Sequence, residues 1–443
     1  MNLAIVALVL HAFPLSDSPS GATTLPAAPA TPAATVTTLE EALRIAGEKS
    51  PLLHGAQANA KAADARADAA FGALLPQVNA SLGYQRSTFN ATPQPGFADV
   101  DVVKPNLDTR DLWGGNISAN QVVWDFGQTW SRSAAARNNA DAAGANEKLV
   151  HQQVRASVRG AFFDALARQA LLDVARRSLQ NQERHLEQVD AFVEVGRRPE
   201  IDRAQIRADV ASARVDVVDS ETAYRTSLLV LARTMGDARP IAAVTGSIAP
   251  PLEEENAELA VLVEAASQAR PELVQIQSQL EARSRAIDIA RGSLLPTLGV
   301  AANARVNGTQ LDALGPNAAV GATLSWPLFS GLSNIADIRA AEADLTALSA
   351  QRDAQRLQVH TEVAQTQLAV HAARESVRAI EDAIVNAEYR LTLAEARYET
   401  GAGSLLELSD AQLAVDRVRA RKVQSDTNLS TARAQLLLAL GRE

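Results

Sequence analysis

Apolar residues recur every seven positions over a stretch that is far too long for a compact domain. A sustained heptad pattern is typical of a helix that packs lengthwise on other helices. We predict one continuous helix here, and roughly 68 residues at 1.5 Å each would extend about 100 Å. In its second half the heptad positions are Val363, Val370, Val377, Ile384, Leu391 and Tyr398.

Two glycines interrupt this helical pattern. Gly401 and Gly403 allow the chain to leave the helix, and Ser404 is a suitable N-cap for the next one. The helical pattern then continues almost to the end of the sequence. We therefore predict a long helical hairpin over about 331–441, with its tip near Gly401.

A similar order of helical and other segments occurs once earlier in the chain. Pro51 and Pro271 lie 220 residues apart, and each follows a short helical pattern. Farther along, the turn glycines Gly196 and Gly401 are 205 residues apart, because the first copy contains a longer loop. Such a spacing predicts an internal duplication of helix, strand, strand, long helix and return helix.

Between the helical patterns the apolar period changes from 3.6 to 2. Val78, Ala80, Leu82 and Tyr84, for example, alternate with polar residues or glycine. This alternation predicts strands with one apolar and one polar face. Four such strands are expected, at about 76–87, 113–124, 296–307 and 317–328.

These elements divide the chain into two repeats behind an N-terminal leader. The apolar run at 3–10 is too short to span a bilayer, and a secretory signal over 1–22 is the better interpretation, although no basic residue precedes the run. A Pro/Ala/Thr-rich segment at 23–37 is expected to be disordered. The expected remaining parts are repeat 1 at 38–236 with its helical hairpin at 127–236, a linker at 237–252, and repeat 2 at 253–443.

Composition and motifs argue against several function classes. The net charge is −9 with acids and bases interspersed, which does not favour a nucleic-acid partner. The chain has no cysteine and lacks the common phosphate-loop, hydrolase and zinc-protease motifs, so we expect neither an enzyme nor a cofactor. His360 and His371 could share a helix face, but such a pair is far more often solvated surface than a metal site.

The predicted strands imply an assembly. Four strands cannot close a barrel, for which roughly eight are needed, so they would have to be shared between copies of the chain. Aromatic residues at strand ends beside an apolar face are typical of membrane β-barrels, whereas a soluble sandwich would bury them in its core. The aromatics in question are Tyr84, Trp113, Trp124 and Trp326. The residues thus predict a mainly α protein with a membrane β-barrel, continued by a long helical tube.

The chain resembles the TolC family of outer-membrane efflux and secretion channels. The resemblance covers about 38–441 and rests on the duplicated order of elements, on Leu-Leu-Pro at 74–76 and 294–296, and on the Gly-x-x-Ser-Leu-Leu-Glu-Leu-x-Asp-Ala-Gln stretch at 401–412. It implies a homotrimer in outer-membrane lipid, with four strands per chain in one twelve-stranded barrel and a periplasmic helical tunnel. It also implies tips, near Gly196 and Gly401, that face a periplasmic adaptor protein, and an inner-membrane transporter driven by protons or ATP.

The resemblance further places acidic residues in the periplasmic aperture. Glu407 and Asp410 match the family's acidic pair, and Glu200 is their counterpart in repeat 1. Three copies of a carboxylate in a narrow pore would favour cations and bind divalent blockers. The alternative is that these acids are simply favoured by the dipole of a helix N-terminus.

The turn of repeat 1 departs from the family pattern, since it is two residues shorter and contains Arg197 and Arg198. Our hypothesis is that these arginines pair with acids of the neighbouring tip and act as a gate latch. Solvated turn charges are the alternative. A periplasmic coiled-coil scaffold without a pore would also explain the heptads, but not the four alternating strands. Neither the exported cargo nor the identity of the partners follows from the residues.

Overall fold

The computed structural model describes residues 35–88, 109–247 and 250–442. The predicted signal peptide at 1–22 and positions 23–34 of the expected disordered segment lie outside the described residues. In the described ranges the chain is mainly helical, with one four-stranded and one two-stranded sheet. The expectation of a mainly α protein with a separate sheet is therefore confirmed.

The elements of repeat 1 follow one another in the order helix, helix, strand, strand, long helix and return helix, between two short strands. They are β1 (Thr35–Thr37), α1 (Leu39–Lys49), α2 (Pro51–Gly72), β2 (Gln77–Thr88), β3 (Thr109–Trp124), α3 (Gln128–Glu194), α4 (Glu200–Met235) and β4 (Ile241–Val244).

Repeat 2 has the same order of helices and strands, after a 3-10 turn at Glu253–Asn256. Its elements are α5 (Leu259–Ala269), α6 (Pro271–Gly292), β5 (Thr297–Gly308), β6 (Gly315–Ser325), α7 (Ser333–Glu399) and α8 (Leu405–Ala439). The lengths match closely between the copies. Both long helices, for example, have 67 residues.

Local chemistry explains where the helices begin. Pro51 and Pro271 occupy the first turns of α2 and α6, where a missing backbone N–H costs nothing. Ser404 caps α8 as predicted, because its hydroxyl accepts a hydrogen bond of 3.1 Å from the N–H of Glu407. Thr38 caps α1 in the same way, through the N–H of Glu41.

The four long strands form one antiparallel sheet in the order β2-β3-β5-β6. The register aligns the apolar residues of all four strands on one face. One row pairs Ala80 with Ile117, Ile117 with Ala304, and Ala304 with Ala318. The opposite face carries mainly Asn, Ser, Gln, Thr and Gly, together with Arg110 and Arg305. The predicted alternation therefore holds over most of the sheet, and the charged pair Arg86 and Asp111 interrupts it on the apolar face near the outer end.

Two of the four strands differ from the predicted bounds by more than one residue. The strand expected at 113–124 begins at Thr109, because β2 and β3 stay paired as far as Thr88 and Thr109. The strand expected at 317–328 covers Gly315–Ser325. It ends before Pro327, which has no N–H to donate to a neighbouring strand.

One expectation about the segments that flank repeat 1 is wrong. Residues 35–37, expected to be disordered, form β1, which pairs with β4 inside the predicted linker at 237–252. The two strands pair in parallel, and the N–H of Thr245 donates to the carbonyl oxygen of Thr37 at 3.1 Å. Val244 is buried in the core of repeat 1, so burial and backbone pairing order this short segment.

The helices pack around three separate apolar cores. Two lie where the short helices meet the long hairpins, one in each repeat. The third, which we call the tip core, joins the ends of both hairpins. Of the heptad positions in α7, Val363, Val370 and Tyr398 are fully buried, which shows that the seam faces other helices.

The two repeats use different means to hold their short helices. In repeat 2 the carboxylate of Glu255 is buried and accepts a hydrogen bond of 2.6 Å from Nε of Arg433 on α8. Arg374 of α7 lies 3.5 Å from the same carboxylate. In repeat 1 Val244 of β4 packs in the same core as the buried residues of α1, and Asp237 binds Lys49 and Arg239 at 3.0 and 2.6 Å.

None of the helices in the described ranges combines the length and the apolar character that a membrane-spanning helix requires.

A left-handed glycine ends the return helix of each repeat. Gly236 has φ +73° and Gly441 has φ +72°, a conformation that other residues adopt only with strain. A Cβ on Gly236 would lie 2.7 Å from the carbonyl oxygen of Lys49, so this glycine also lets α4 approach the junction of α1 and α2. Gly196 has a similar φ of +71°, but no atom lies within 4 Å of a Cβ placed there.

We expect Gly236→Ala to lower the free energy of unfolding by about 2–4 kcal/mol, since backbone strain and a clash with backbone atoms add together. Gly196→Ala is the matched control with strain alone, and its cost should be about 1 kcal/mol. The midpoints of thermal unfolding in detergent would measure the difference. Equal effects of the two substitutions would show that the close approach at Gly236 contributes nothing.

Candidate functional site

The tips of the two helical hairpins lie side by side. The first tip connects α3 to α4 through 195–199, and the second connects α7 to α8 through 400–404. Gly196 and Gly401 adopt left-handed backbone conformations that let the chain reverse. Each turn is closed by a backbone hydrogen bond of 2.8 Å, from Arg197 to Phe192 and from Gly403 to Arg397.

The tip core fastens these two turns to each other. Buried side chains from all four hairpin helices contribute to it, so neither repeat forms its tip alone. Phe192 and Tyr398, one from each repeat, approach with ring centroids 6.3 Å apart. The buried members of the tip core are Val189, Ile206, Ala394, Tyr398, Leu405, Leu408 and Ala411.

Arg198 connects the tips across the repeats. Its Nη2 donates a hydrogen bond of 3.0 Å to the carbonyl oxygen of Gly403, and its guanidinium lies 4.6 Å from the centre of the Tyr398 ring. Within one chain its partners are thus a carbonyl and an aromatic ring rather than a carboxylate. Arg197 is exposed and makes no ion pair with any described residue. A latch between tips of different subunits stays a prediction.

Tyr398 is the side chain on which this contact rests. It is 2% exposed, and its hydroxyl has no hydrogen-bond partner among the described residues. Burial raises the pKa of the Tyr398 phenol, against the opposing effect of the nearby Arg198 charge. The sequence indicated Tyr398 only as a heptad position, and nothing in the local pattern pointed to its contact with Arg198.

The three predicted aperture acids have different surroundings. Glu407 lies 3.2 Å from Nε of Arg397 at the end of α7, and Glu200 lies 3.0 Å from Nη1 of Arg203. Asp410 is exposed and forms no ion pair within the described part of the chain. Of the three predicted acids, one is therefore free and two have nearby arginines. Sequence reasoning did not identify Arg397 as a neighbour of Glu407.

The predicted interface aromatics occupy both ends of the apolar face of the sheet. Tyr84 and Trp113 are direct cross-strand partners with ring centroids 4.5 Å apart, in the half of the sheet away from the helices. Trp124 ends β3, and Trp326 directly follows β6, at the helix side. Trp124 and Trp326 are 60% and 57% exposed, so both side chains are largely accessible to solvent in a single chain.

A family model described as "Outer membrane efflux protein" matches residues 42–237 and 262–442, which include both hairpins and all four long strands. The chain belongs to the outer membrane efflux protein family. The predicted resemblance is therefore confirmed, and the two matched ranges agree with the duplicated order of elements.

Individual proteins are also similar to this chain. Protein CyaE of Bordetella pertussis is 29% identical over 422 residues, covering 91% of this chain and 84% of that protein. Outer membrane protein TolC of Vibrio cholerae is 24% identical, with coverages of 91% and 88%. Among solved structures, CusC matches with a TM-score of 0.79 at 19% identity, over 91% of this chain and 92% of that one, which shows the shared fold.

Family membership decides between the functions left open by the residues. The protein is a subunit of an outer-membrane channel of the efflux or secretion type. This is a family of channels rather than of enzymes. The alternative of a periplasmic scaffold without a pore is not favoured by these relatives.

We expect Arg198→Ala to loosen both tips of this channel subunit. The substitution removes one hydrogen bond and one cation–π contact, together about 1–2 kcal/mol, so amide hydrogen exchange around residues 192–206 and 394–411 should become about tenfold faster. Arg197→Ala, in the same turn but without these contacts, is the control and should leave exchange unchanged. An equal change in both variants would contradict the role assigned to Arg198.

Proposed function

We propose that three copies of this chain form one passive exit duct, in which their sheets close a twelve-stranded barrel in the outer membrane and their helices form a tunnel through the periplasm. A periplasmic adaptor protein would bind the tips near Gly196 and Gly401. An inner-membrane transporter, driven by protons or ATP, would supply the energy. Export of the chain itself would depend on the signal predicted at 1–22.

The observation that carries this proposal is the pair of open edges on the sheet. β2 and β6 each have one neighbour, so one edge of each lacks backbone hydrogen-bond partners in a single chain. Exposed edges of long strands tend to pair with other chains. Joining β2 of one copy to β6 of the next satisfies both edges, and a closed ring of such joins has none left.

The height of the apolar face supports a membrane location. Trp124 lies eleven positions after Trp113 along β3. At about 3.4 Å per residue and a strand tilt of about 40°, these rings would lie roughly 28 Å apart along the barrel axis. The apolar band of outer-membrane barrels is about 25 Å tall between its aromatic girdles.

Exposed apolar residues on the long helices support contacts between copies. Leu357, Leu368 and Val385 of α7 and Val215 and Val218 of α4 are each more than half exposed in the single chain. Such residues along a helix are buried when another helix packs lengthwise beside it. Subunit contacts would thus continue from the sheet edges along the helices.

The proposed trimer is testable with engineered cysteines, because the natural chain has none. Gln77 and Ser325 lie at the helix-side ends of the two edge strands. Two double variants are tested, Gln77→Cys/Ser325→Cys and Gln77→Cys/Thr323→Cys. We expect at least one of them to form a covalent trimer on oxidation in native membranes. Denaturing gel electrophoresis would measure the product.

Each single cysteine variant is the control, since one cysteine per chain cannot link a closed ring. Trimers from a double variant and none from the single variants would support the proposed edge pairing. Covalent dimers alone, or unlinked chains from all pairs in folded protein, would contradict it.

The tips would form the periplasmic aperture of this duct. In a trimer the free Asp410 carboxylate would occur three times around the axis, together with Glu407 and Glu200. Arg397 lies beside Glu407 and offsets part of its field. We propose that the balance of these charges sets the preference of the aperture for cations.

Planar-bilayer recordings test this balance with substitutions of opposite sign. Asp410→Asn removes a negative charge and should lower the ratio of cation to anion permeability by roughly twofold to fivefold. Arg397→Gln removes the positive neighbour of Glu407 and should raise the ratio. Glu407→Gln/Asp410→Asn should show the largest decrease and weaker block by divalent cations. If the ratio of cation to anion permeability is the same in wild type and in all three variants, the constriction lies away from these acids.

A further inference from the structure

Arg305 lies within the polar face of the four-stranded sheet, three residues from the end of β5. The register puts it between Asn116 of β3 and Asn317 of β6, and Asn116 is in turn paired with Ser81 of β2. One cross-strand row therefore combines a guanidinium with two amides and a hydroxyl. All of these groups can donate hydrogen bonds to an anion.

No acidic side chain offsets this charge on the polar face of the described strands. Arg110 and Arg305 are the charged residues there, and neither forms an ion pair with a described residue. Asp111 lies on the opposite, apolar face, where it has Arg86 at 3.7 Å and accepts a hydrogen bond from Tyr84. The two faces of the sheet thus differ sharply in charge near their outer end.

The row beyond Arg305, toward the hairpin ends, leaves space around it. Its members are Gly83, Gly114, Asn307 and Gly315, so three of the four positions have no side chain. A long side chain at Arg305 consequently has room to extend from the sheet rather than pack against its neighbours.

The closed barrel would bring three such rows together. Twelve strands about 4.8 Å apart and tilted by about 40° close at a radius of roughly 12 Å. Extended arginine side chains would cover about half of that radius, leaving the three guanidinium groups about 10 Å apart. This separation is similar to the Debye length of about 10 Å at 0.1 M salt, so their fields would overlap in the lumen.

We infer that Arg305 from three subunits forms a cationic ring in the outer half of the barrel lumen that binds multivalent anionic solutes. The inference rests on the proposed trimer with its polar face toward the lumen. The duct would then have opposite charge preferences at its two ends, acidic at the tips and basic near the exit.

Block of the conducting trimer by a polyanion tests this site. The probe is myo-inositol hexakisphosphate, added first on the sheet side and then on the tip side of a planar bilayer. We expect block from the sheet side in 0.1 M KCl that is largely lost in 1 M KCl, where the Debye length falls to about 3 Å. Arg305→Gln should weaken this block about tenfold or more, and Arg305→Lys should retain most of it.

Arg86→Gln is the control on the opposite face, because it removes the same charge five positions farther along β2 than Ser81, the member of the Arg305 row on that strand. It should leave the block unchanged. Asn116→Asp provides a second route, since it keeps Arg305 but places a carboxylate beside it, and it should also weaken the block.

The outcomes separate this inference from the proposed function. Folded wild-type trimers without conductance would contradict the channel and the ring together. Conducting trimers whose block is the same in wild type, Arg305→Gln and Asn116→Asp would contradict the ring alone. Equal loss in Arg86→Gln and Arg305→Gln would attribute the block to total charge rather than to the lumen face, and would also overturn the inference.

Discussion

The two unpaired edges of the four-stranded sheet constrain everything else in this protein. The backbone groups along one edge of β2 and one edge of β6 have no partner strand within the chain, and such edges of long strands tend to pair with another strand. Short connections join the sheet to the long helices. Three residues separate β3 from α3 and seven separate β6 from α7, so the position of the sheet and that of the 67-residue helices are linked. The heptad seams are already buried inside the single chain, whereas the outer edges of β2 and β6 have no partner within it.

Duplication gave the two repeats the same elements, but not the same interactions. Repeat 1 orders the segment before its short helices with a pair of strands, whereas repeat 2 buries the ion pair of Glu255 and Arg433. A buried ion pair gains little stability over apolar packing, but it strongly penalises the loss of either partner. The tips differ in the same way. Repeat 1 contributes Arg198, and repeat 2 contributes the Tyr398 ring and the Gly403 carbonyl that receive it.

Charge is arranged along the length of the molecule rather than concentrated in one site. The tips present carboxylates, of which Asp410 is free and Glu407 is partly offset by Arg397. The polar face of the sheet presents amides, hydroxyls and arginine. Such an arrangement acts on a passing solute through long-range fields whose sign differs between the tips and the polar face of the sheet.

The sequence by itself determined the helices, the strands and their duplication, because each depends on a local period. The heptads at Val363 and Val370, the alternation at Val78–Leu82 and the cap at Ser404 act within a few residues, and the structure has all three. Only the tertiary structure decided the pairing of β1 with β4, the contact of Arg198 with Tyr398 and the neighbours of the tip acids. The β1–β4 and Arg198–Tyr398 contacts join residues about 200 positions apart. A local sequence period does not show which distant residue a side chain contacts.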